Sequence, residues 1–195
     1  MIEFIIQWDY AAFEWVHHST ENGLFDLVMP ILRNKYVWIP LYVFLIAFFI
    51  INFGKRAVVY VLFIIATAGI ADYTSSSIVK PAVERERPCK NVKLFRFTDT
   101  LVDCGSGYSF TSSHATNHMA VAVFIILTTA SLWKRHRWWF FLWALMISYE
   151  QVYVGVHYPL DVLAGSLLGA LVAGIVYSLY IKLFPNMYYG SNYSR

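Results

Sequence analysis

PLDVLAGSLLGALVAGIVYSLYIKLF, Pro159–Phe184, is the stretch on which the fold turns. Between Asp161 near its start and Lys182 near its end it carries no charge. A helix needs about 20 mostly apolar residues to cross the hydrocarbon of a bilayer, and this segment is long enough. Gly165, Gly169 and Gly174 are spaced to let a neighbouring helix approach closely. Four more segments read the same way: Val37–Phe53, Ala57–Lys80, Ser113–Trp133 and Trp138–Val154. Residues 1–36 differ, because Trp8, Phe13 and Trp15 mix with Glu3, Asp9 and Glu14, the pattern of an amphipathic helix in the membrane interface or a half-buried first helix.

The expected architecture is therefore an all-α, polytopic membrane helix bundle with five or six transmembrane helices and an N-terminal interfacial helix. Residues 1–36 form the interfacial segment, 37–184 the membrane core and 185–195 a polar, aromatic tail. Composition agrees. Of the 195 residues, 58% are hydrophobic and 14% charged, against about 25% charged in a soluble domain. A net charge of +3 gives no argument for a nucleic-acid partner. The bilayer is the expected surrounding, and the oligomeric state is left open.

Five alternating spans place Lys80–Ser112 and Tyr153–Tyr158 on one side. The short basic connections Gly54–Arg56 and Lys134–Arg137 fall on the other, which favours the cytoplasm. The first side also holds many cations, among them Arg33, Lys80, Arg85 and Arg87, whose place chemistry rather than topology can explain. Cys89 and Cys104 share the long loop there. They pair as a disulfide if that loop meets an oxidising compartment, and otherwise are two separate thiols.

The ionisable clusters gather on that same side, in KPAVERERP (Lys80–Pro88), TSSHATNH (Thr111–His118) and YEQVYVGVHYPLD (Tyr149–Asp161). Ionisable groups at membrane depth are costly, so their clustering marks a site. Lys80 and Arg87 supply fixed positive charge, and a guanidinium can fork onto two phosphate oxygens. Ser112, Ser113 and His114 open a helix, whose free N–H groups attract an anion. Asp161 can hold one ring nitrogen of His157 as N–H and leave the other free to attack. His114 offers a second imidazole to protonate a leaving oxygen. Phosphoryl transfer through a phosphohistidine fits these groups. No cluster of metal ligands is visible in the sequence, and neither a metal nor another cofactor is expected.

In order and spacing these motifs resemble the type 2 phosphatidic acid phosphatases, integral membrane lipid phosphatases that share a fold with soluble acid phosphatases and vanadium haloperoxidases. The first family motif, Lys, six residues, Arg-Pro, is matched throughout by Lys80–Pro88. The second, Pro-Ser-Gly-His, keeps Ser112 and His114 but has Thr111 and Ser113 in place of Pro and Gly. The third, Ser-Arg, five residues, His, three residues, Asp, keeps His157 and Asp161 but has Glu150 and Gln151 in place of Ser-Arg.

The resemblance implies that His157 is the nucleophile, Asp161 its orienting partner and His114 the general acid. It gives Lys80, Arg87, Ser112 and Ser113 the substrate phosphate, with Gln151 standing where the family has a second arginine. Arg85, or His118 one turn beyond His114, is the expected substitute for that charge. The implied activity is metal-independent hydrolysis of a lipid phosphomonoester or diphosphate of the undecaprenyl diphosphate, phosphatidylglycerol phosphate, phosphatidate or lipid A phosphate class. The implied location is a bacterial inner membrane, with the site on the periplasmic side. The alternative is a phosphate-lipid binding or scaffold protein that has lost turnover through Gln151.

Overall fold

In a computed structural model, the deciding stretch forms one 25-residue helix, α8 (Pro159–Leu183). The structure describes residues 2–91, 100–130 and 135–185, so the expected tail lies outside it from residue 186 onward. In chain order the remaining helices are α1 (Ile2–Glu14), α2 (Gly23–Arg33), α3 (Lys35–Phe53), α4 (Lys55–Tyr73), the short α5 (Lys80–Val83), α6 (Ser113–Thr128) and α7 (Trp138–Tyr153). π-Helical turns extend α1 over Trp15–Ser19 and join α4 to α5 over Thr74–Val79. No strand occurs among the described residues, and the fold is the expected all-α membrane bundle.

By length and composition, two helices among the described residues, Arg56–Val83 and Pro159–Leu183, can each cross a membrane; Gly23–Arg33 with Tyr36–Asn52, bent by 55°, counts as a third if the pair is one broken span rather than a re-entrant loop. α6 and α7, both expected to span, are shorter at 16 residues each. α8 is apolar on both faces, with a different use for each. Leu163, Leu167, Leu171, Ile175 and Leu179 recur every fourth residue and are 49–65% exposed, a stripe suited to lipid. Asp161, Gly165, Gly169, Val172, Ala173 and Val176 face inward and are buried.

The inner face packs chiefly on α6, which also contacts α7 and α4. Small residues permit the close approach. A Cβ at Gly165 would sit 2.7 Å from the Ser112 carbonyl oxygen, and one at Gly169 would fall on the carbonyl oxygen of Thr116. Gly174, expected to make a similar contact, faces open space instead. At the N-terminal ends of the two helices the Ser112 N–H donates to the Asp161 carbonyl at 3.0 Å. That bond registers the second motif against the third. Toward the other end, Phe63, Phe124, Tyr180 and Phe184 close the core edge to face.

α1 is amphipathic in an inverted sense. Phe4, Trp8 and Trp15 point outward, whereas Asp9, Phe13 and His17, spaced by four, are buried against the bundle. Phe13 packs edge-on to Tyr158 with ring centroids 5.6 Å apart, and His17 Nδ1 lies 2.7 Å from the Tyr153 carbonyl. α2 starts at Asn22, whose side chain caps the Phe25 N–H, and lies along α7, where the Tyr153 hydroxyl donates to Asp26 at 2.6 Å. The N-terminal segment thus packs against α7 and the start of α8.

Gly169→Ala should lower the thermal midpoint. The new methyl falls on backbone that cannot move aside, an overpacking defect of about 1–3 kcal/mol. Gly174→Ala, with open space at its Cβ, should leave the midpoint near that of the wild type. Equal midpoints for both variants in detergent-solubilised protein would contradict the packing described.

Candidate active site

All three motifs meet at one end of the bundle. α7 ends at Tyr153, and the chain turns through Gly155, whose φ of 83° lies in the left-handed region that favours glycine. The turn is held by the Gln151 carbonyl, which accepts from the Val156 N–H at 3.3 Å and the His157 N–H at 3.1 Å. His157, 2% exposed, is thereby placed just before α8.

Asp161 sits in the first turn of α8 with no exposed surface. Its Oδ2 accepts from the Tyr158 N–H at 2.9 Å, completing a capping box, and from the Ser109 hydroxyl. The same oxygen lies 3.5 Å from His157 Nδ1. Its Oδ1 accepts from Arg85 at 2.7 Å. His157 therefore turns Nδ1 toward Asp161 and Ser109, while Nε2 faces Arg87 at 3.3 Å. Burial first, then the charges of Arg87 and Lys80, pull the His157 pKa down to about 4 against the opposing pull of Asp161. That shift favours the neutral imidazole, whose Nε2 is the nitrogen that faces Arg87.

The cations divide by what holds them. Lys80 Nζ donates to the carbonyls of Tyr108 at 2.8 Å and Ser109 at 3.3 Å. Arg87 donates to the carbonyls of Gly107 at 3.2 Å and Val156 at 3.3 Å. Carbonyls fix a cation without neutralising it, so both side chains keep their charge for an anion. Arg85 is different. It forms ion pairs with Asp161 and with Asp9, the latter at 2.5 Å, and its guanidinium stacks 4.0 Å over the Tyr158 ring. Two carboxylates consume its charge, so Arg85 braces Asp161 and is not a spare cation for phosphate. His118 also lies elsewhere. Its Nδ1 is 2.8 Å from the His114 carbonyl one turn back, and its ring meets Trp143 edge-on.

Ser112 caps α6, and Ser113, at its first turn, bonds Ser75 at 3.0 Å. Ser75 belongs to the π-helical turn after α4 and also bonds Thr111 at 3.0 Å, tying the second motif to the turn that precedes the first. His114 projects from this first turn, within the electrostatic reach of Arg33, His118, His157 and Arg87. Gln151 is fully buried and does not line the pocket, since its amide N–H₂ donates to Glu150 at 2.6 Å. Cys89 and Cys104 form a disulfide with Cα atoms 5.9 Å apart, joining the end of the first motif to the segment that leads into Gly107–Ser109. Asp72, near the pocket, accepts from Asn117 at 2.9 Å. Among the described residues no group of three or more His, Cys, Asp or Glu side chains is arranged to hold a metal ion.

Sequence reasoning did not single out Asp9, Ser109 or Arg33 as site residues. Asp9 accepts from the Leu160 N–H at 2.8 Å as well as from Arg85. Its spacing from Phe13 and His17 was the available signal. Ser109 had none, because a single serine in a long loop resembles any other.

The arrangement has known counterparts. The model of the PAP2 superfamily matches residues 57–185. The chain belongs to that superfamily. A lipid A 4'-phosphatase of Bacteroides thetaiotaomicron is 31% identical over 189 residues, covering 94% of this chain and 81% of its own. An undecaprenyl-diphosphatase of Sulfolobus acidocaldarius is 31% identical over 159 residues, covering 80% of this chain and 68% of its own. The crystal structure of a transmembrane PAP2-type phosphatidylglycerolphosphate phosphatase from Bacillus subtilis shares the fold, with a TM-score of 0.71 at 21% identity over 92% of this chain and 87% of that one. As a PAP2 protein with apolar helices, the chain is a membrane lipid phosphatase.

Arg85→Ala should strand two buried carboxylates, at a cost of about 3–5 kcal/mol. Its thermal midpoint should fall well below that of the wild type. Adding Asp9→Asn, which removes one of the unpaired charges, should recover part of the loss. An unchanged midpoint in Arg85→Ala would refute the bracing role.

Proposed function

We propose that this PAP2 enzyme removes a phosphate from a phosphorylated glucosamine lipid of the lipid A class, through a phosphohistidine on His157. The observation that carries the chemistry is the orientation of one ring: Nδ1 of His157 is turned to Asp161 and Nε2 to Arg87. Nε2 attacks phosphorus while Lys80, Arg87 and the first turn of α6 hold the non-bridging oxygens. The bond to the leaving oxygen breaks, its electron pair stays on that oxygen, and His114, entering the step as the imidazolium, supplies the proton. The imidazolium formed is stabilised at Nδ1 by Asp161. Water then attacks phosphorus and gives its proton to His114. The P–N bond breaks, its electron pair returns to Nε2, and inorganic phosphate leaves. No step calls for a metal or a cofactor.

The choice of lipid rests on similarity along nearly the whole chain to two lipid A 4'-phosphatases. An apolar groove of about 590 Å³, lined by Trp38, Leu41, Phe49, Ile64 and Trp143 together with Asn117 and His118, supports a substrate with hydrocarbon chains. The disulfide supports a site on the oxidising, periplasmic side of a bacterial inner membrane. The intact pairing of His157 with Asp161 favours turnover over mere binding, since a binder has no use for an oriented nucleophile.

Purified protein should release phosphate from lipid A 4'-phosphate with a higher kcat/KM than from undecaprenyl diphosphate, phosphatidylglycerol phosphate or phosphatidate, and His157→Ala should abolish the release. Because neutral His157 is the active form, activity should hold as the pH falls past 6.5 and drop only as it approaches about 4. Turnover of one of the other lipids at least about tenfold faster than lipid A, a difference of about 1.4 kcal/mol in barrier, would overturn the substrate assignment. Residual phosphate release by His157→Ala would overturn the nucleophile.

A further inference from the structure

The third motif lacks its arginine, yet a guanidinium occupies that corner of the site. Arg33 ends α2 and reaches across to α7, where its Nη1 donates to Gln151 Oε1 at 2.9 Å. The same nitrogen lies 3.9 Å from Glu150 Oε1, an oxygen that is buried and makes no hydrogen bond. Gln151 connects the two: its N–H₂ donates to Glu150 Oε2 and its oxygen accepts from Arg33. An arginine at position 151 has no acceptor and would repel Arg33. A glutamine can receive it. The replacement of Ser-Arg by Glu150–Gln151 is thus a socket for a cation from another helix, not only a loss.

The socket adjoins the residues of the candidate phosphate pocket. The Gln151 carbonyl holds the His157 N–H, and Arg33 acts electrostatically on both Arg87 and His114. Arg33 keeps 18% of its side chain exposed, and among the described residues its one hydrogen bond is to the neutral Gln151 amide. This is the state of Lys80 and Arg87, held chiefly by uncharged oxygens, rather than that of Arg85 between two carboxylates. Burial, followed by the repulsion of Arg33, holds Arg87 below the usual guanidinium range against the opposing pull of Asp161.

We propose that Arg33 is the second phosphate-binding arginine of this enzyme, supplied by the end of α2 and seated on Gln151 and Glu150 in place of the arginine missing from the third motif. The inference rests on the phosphatase reading above, and it makes the N-terminal segment part of the active site. Its consequence for specificity is that the phosphate pocket is completed by an element outside the three motifs.

The test measures orthovanadate binding, as a phosphate mimic, together with lipid phosphate release, in purified wild type, Arg33→Ala, Arg33→Lys and the double variant Arg33→Ala/Gln151→Arg. Loss of one charge-assisted contact should weaken vanadate binding about tenfold or more in Arg33→Ala. The double variant, which returns an arginine from the α7 side and restores a partner for Glu150, should come back to within about threefold of the wild type. Arg33→Lys, with charge but no fork, should fall between. Wild-type affinity in Arg33→Ala with lipid turnover intact would overturn this inference and leave the phosphatase reading standing. Vanadate binding that depends on Arg33, in a protein that releases phosphate from no lipid, would overturn the phosphatase reading and leave Arg33 as an anion ligand. If Arg33→Ala fails to fold, the double variant decides: recovered vanadate binding supports the proposal, and absent binding refutes it.

Discussion

A carboxylate with no exposed surface must be surrounded by donors, and Asp161 imposes that demand on every element near it. Four groups answer: the guanidinium of Arg85 from the first motif, the hydroxyl of Ser109 from the long loop, the amide of Tyr158 at the cap of α8, and the imidazole of His157. The backbone of the same residue takes the amide of Ser112, so the second motif is registered on the same point. Asp9 enters indirectly, sharing Arg85 and holding the Leu160 amide. Loops, caps and the first helix converge because one buried charge would otherwise be uncompensated. The orientation of His157, and with it the chemistry, follows from that compensation.

The same reasoning sorts the basic residues. A cation between two carboxylates is a structural strut, and Arg85 has that setting. A cation held by carbonyls retains its charge, which is the setting of Lys80 and Arg87; Arg33 stands between the two settings, bonded to a neutral amide with one carboxylate at 3.9 Å. A pocket of the second kind repels itself when empty and is relieved by an anion. Sitting at the edge of the apolar bundle, where the effective dielectric is low, it gains more from a phosphate than the same residues would in water.

Much of this was legible in the residues themselves. The charge-free run of α8 gave the helix class, and its glycines marked the close approach found at Gly165 and Gly169, though not which helix makes it. Lys80, Arg87, Ser112, His114, His157 and Asp161 could be picked out because they fall at fixed spacing within short segments, and the structure brings those segments to one end of the bundle. What stayed hidden depended on distance in the chain. Arg85 lies two residues from Arg87, yet only the folded chain shows Asp9 and Asp161 on either side of it. Arg33 was visible merely as one of many cations on the site's side, and nothing local reveals that α2 lies along α7 and ends at Gln151. The inward face of α1 was obscured because a lipid-facing surface reverses the usual sense of amphipathicity.

The most direct test is to trap the covalent intermediate and locate it. Protein quenched during turnover of a lipid substrate with a labelled phosphate, kept alkaline to preserve a phosphoramidate and digested for mass spectrometry, should carry one phosphate on the peptide that contains His157. Comparison with standards of the two phosphohistidine isomers should place it on Nε2, because Nδ1 is turned to Asp161. A phosphate on Nδ1, on His114, or on no histidine while turnover proceeds would contradict the account.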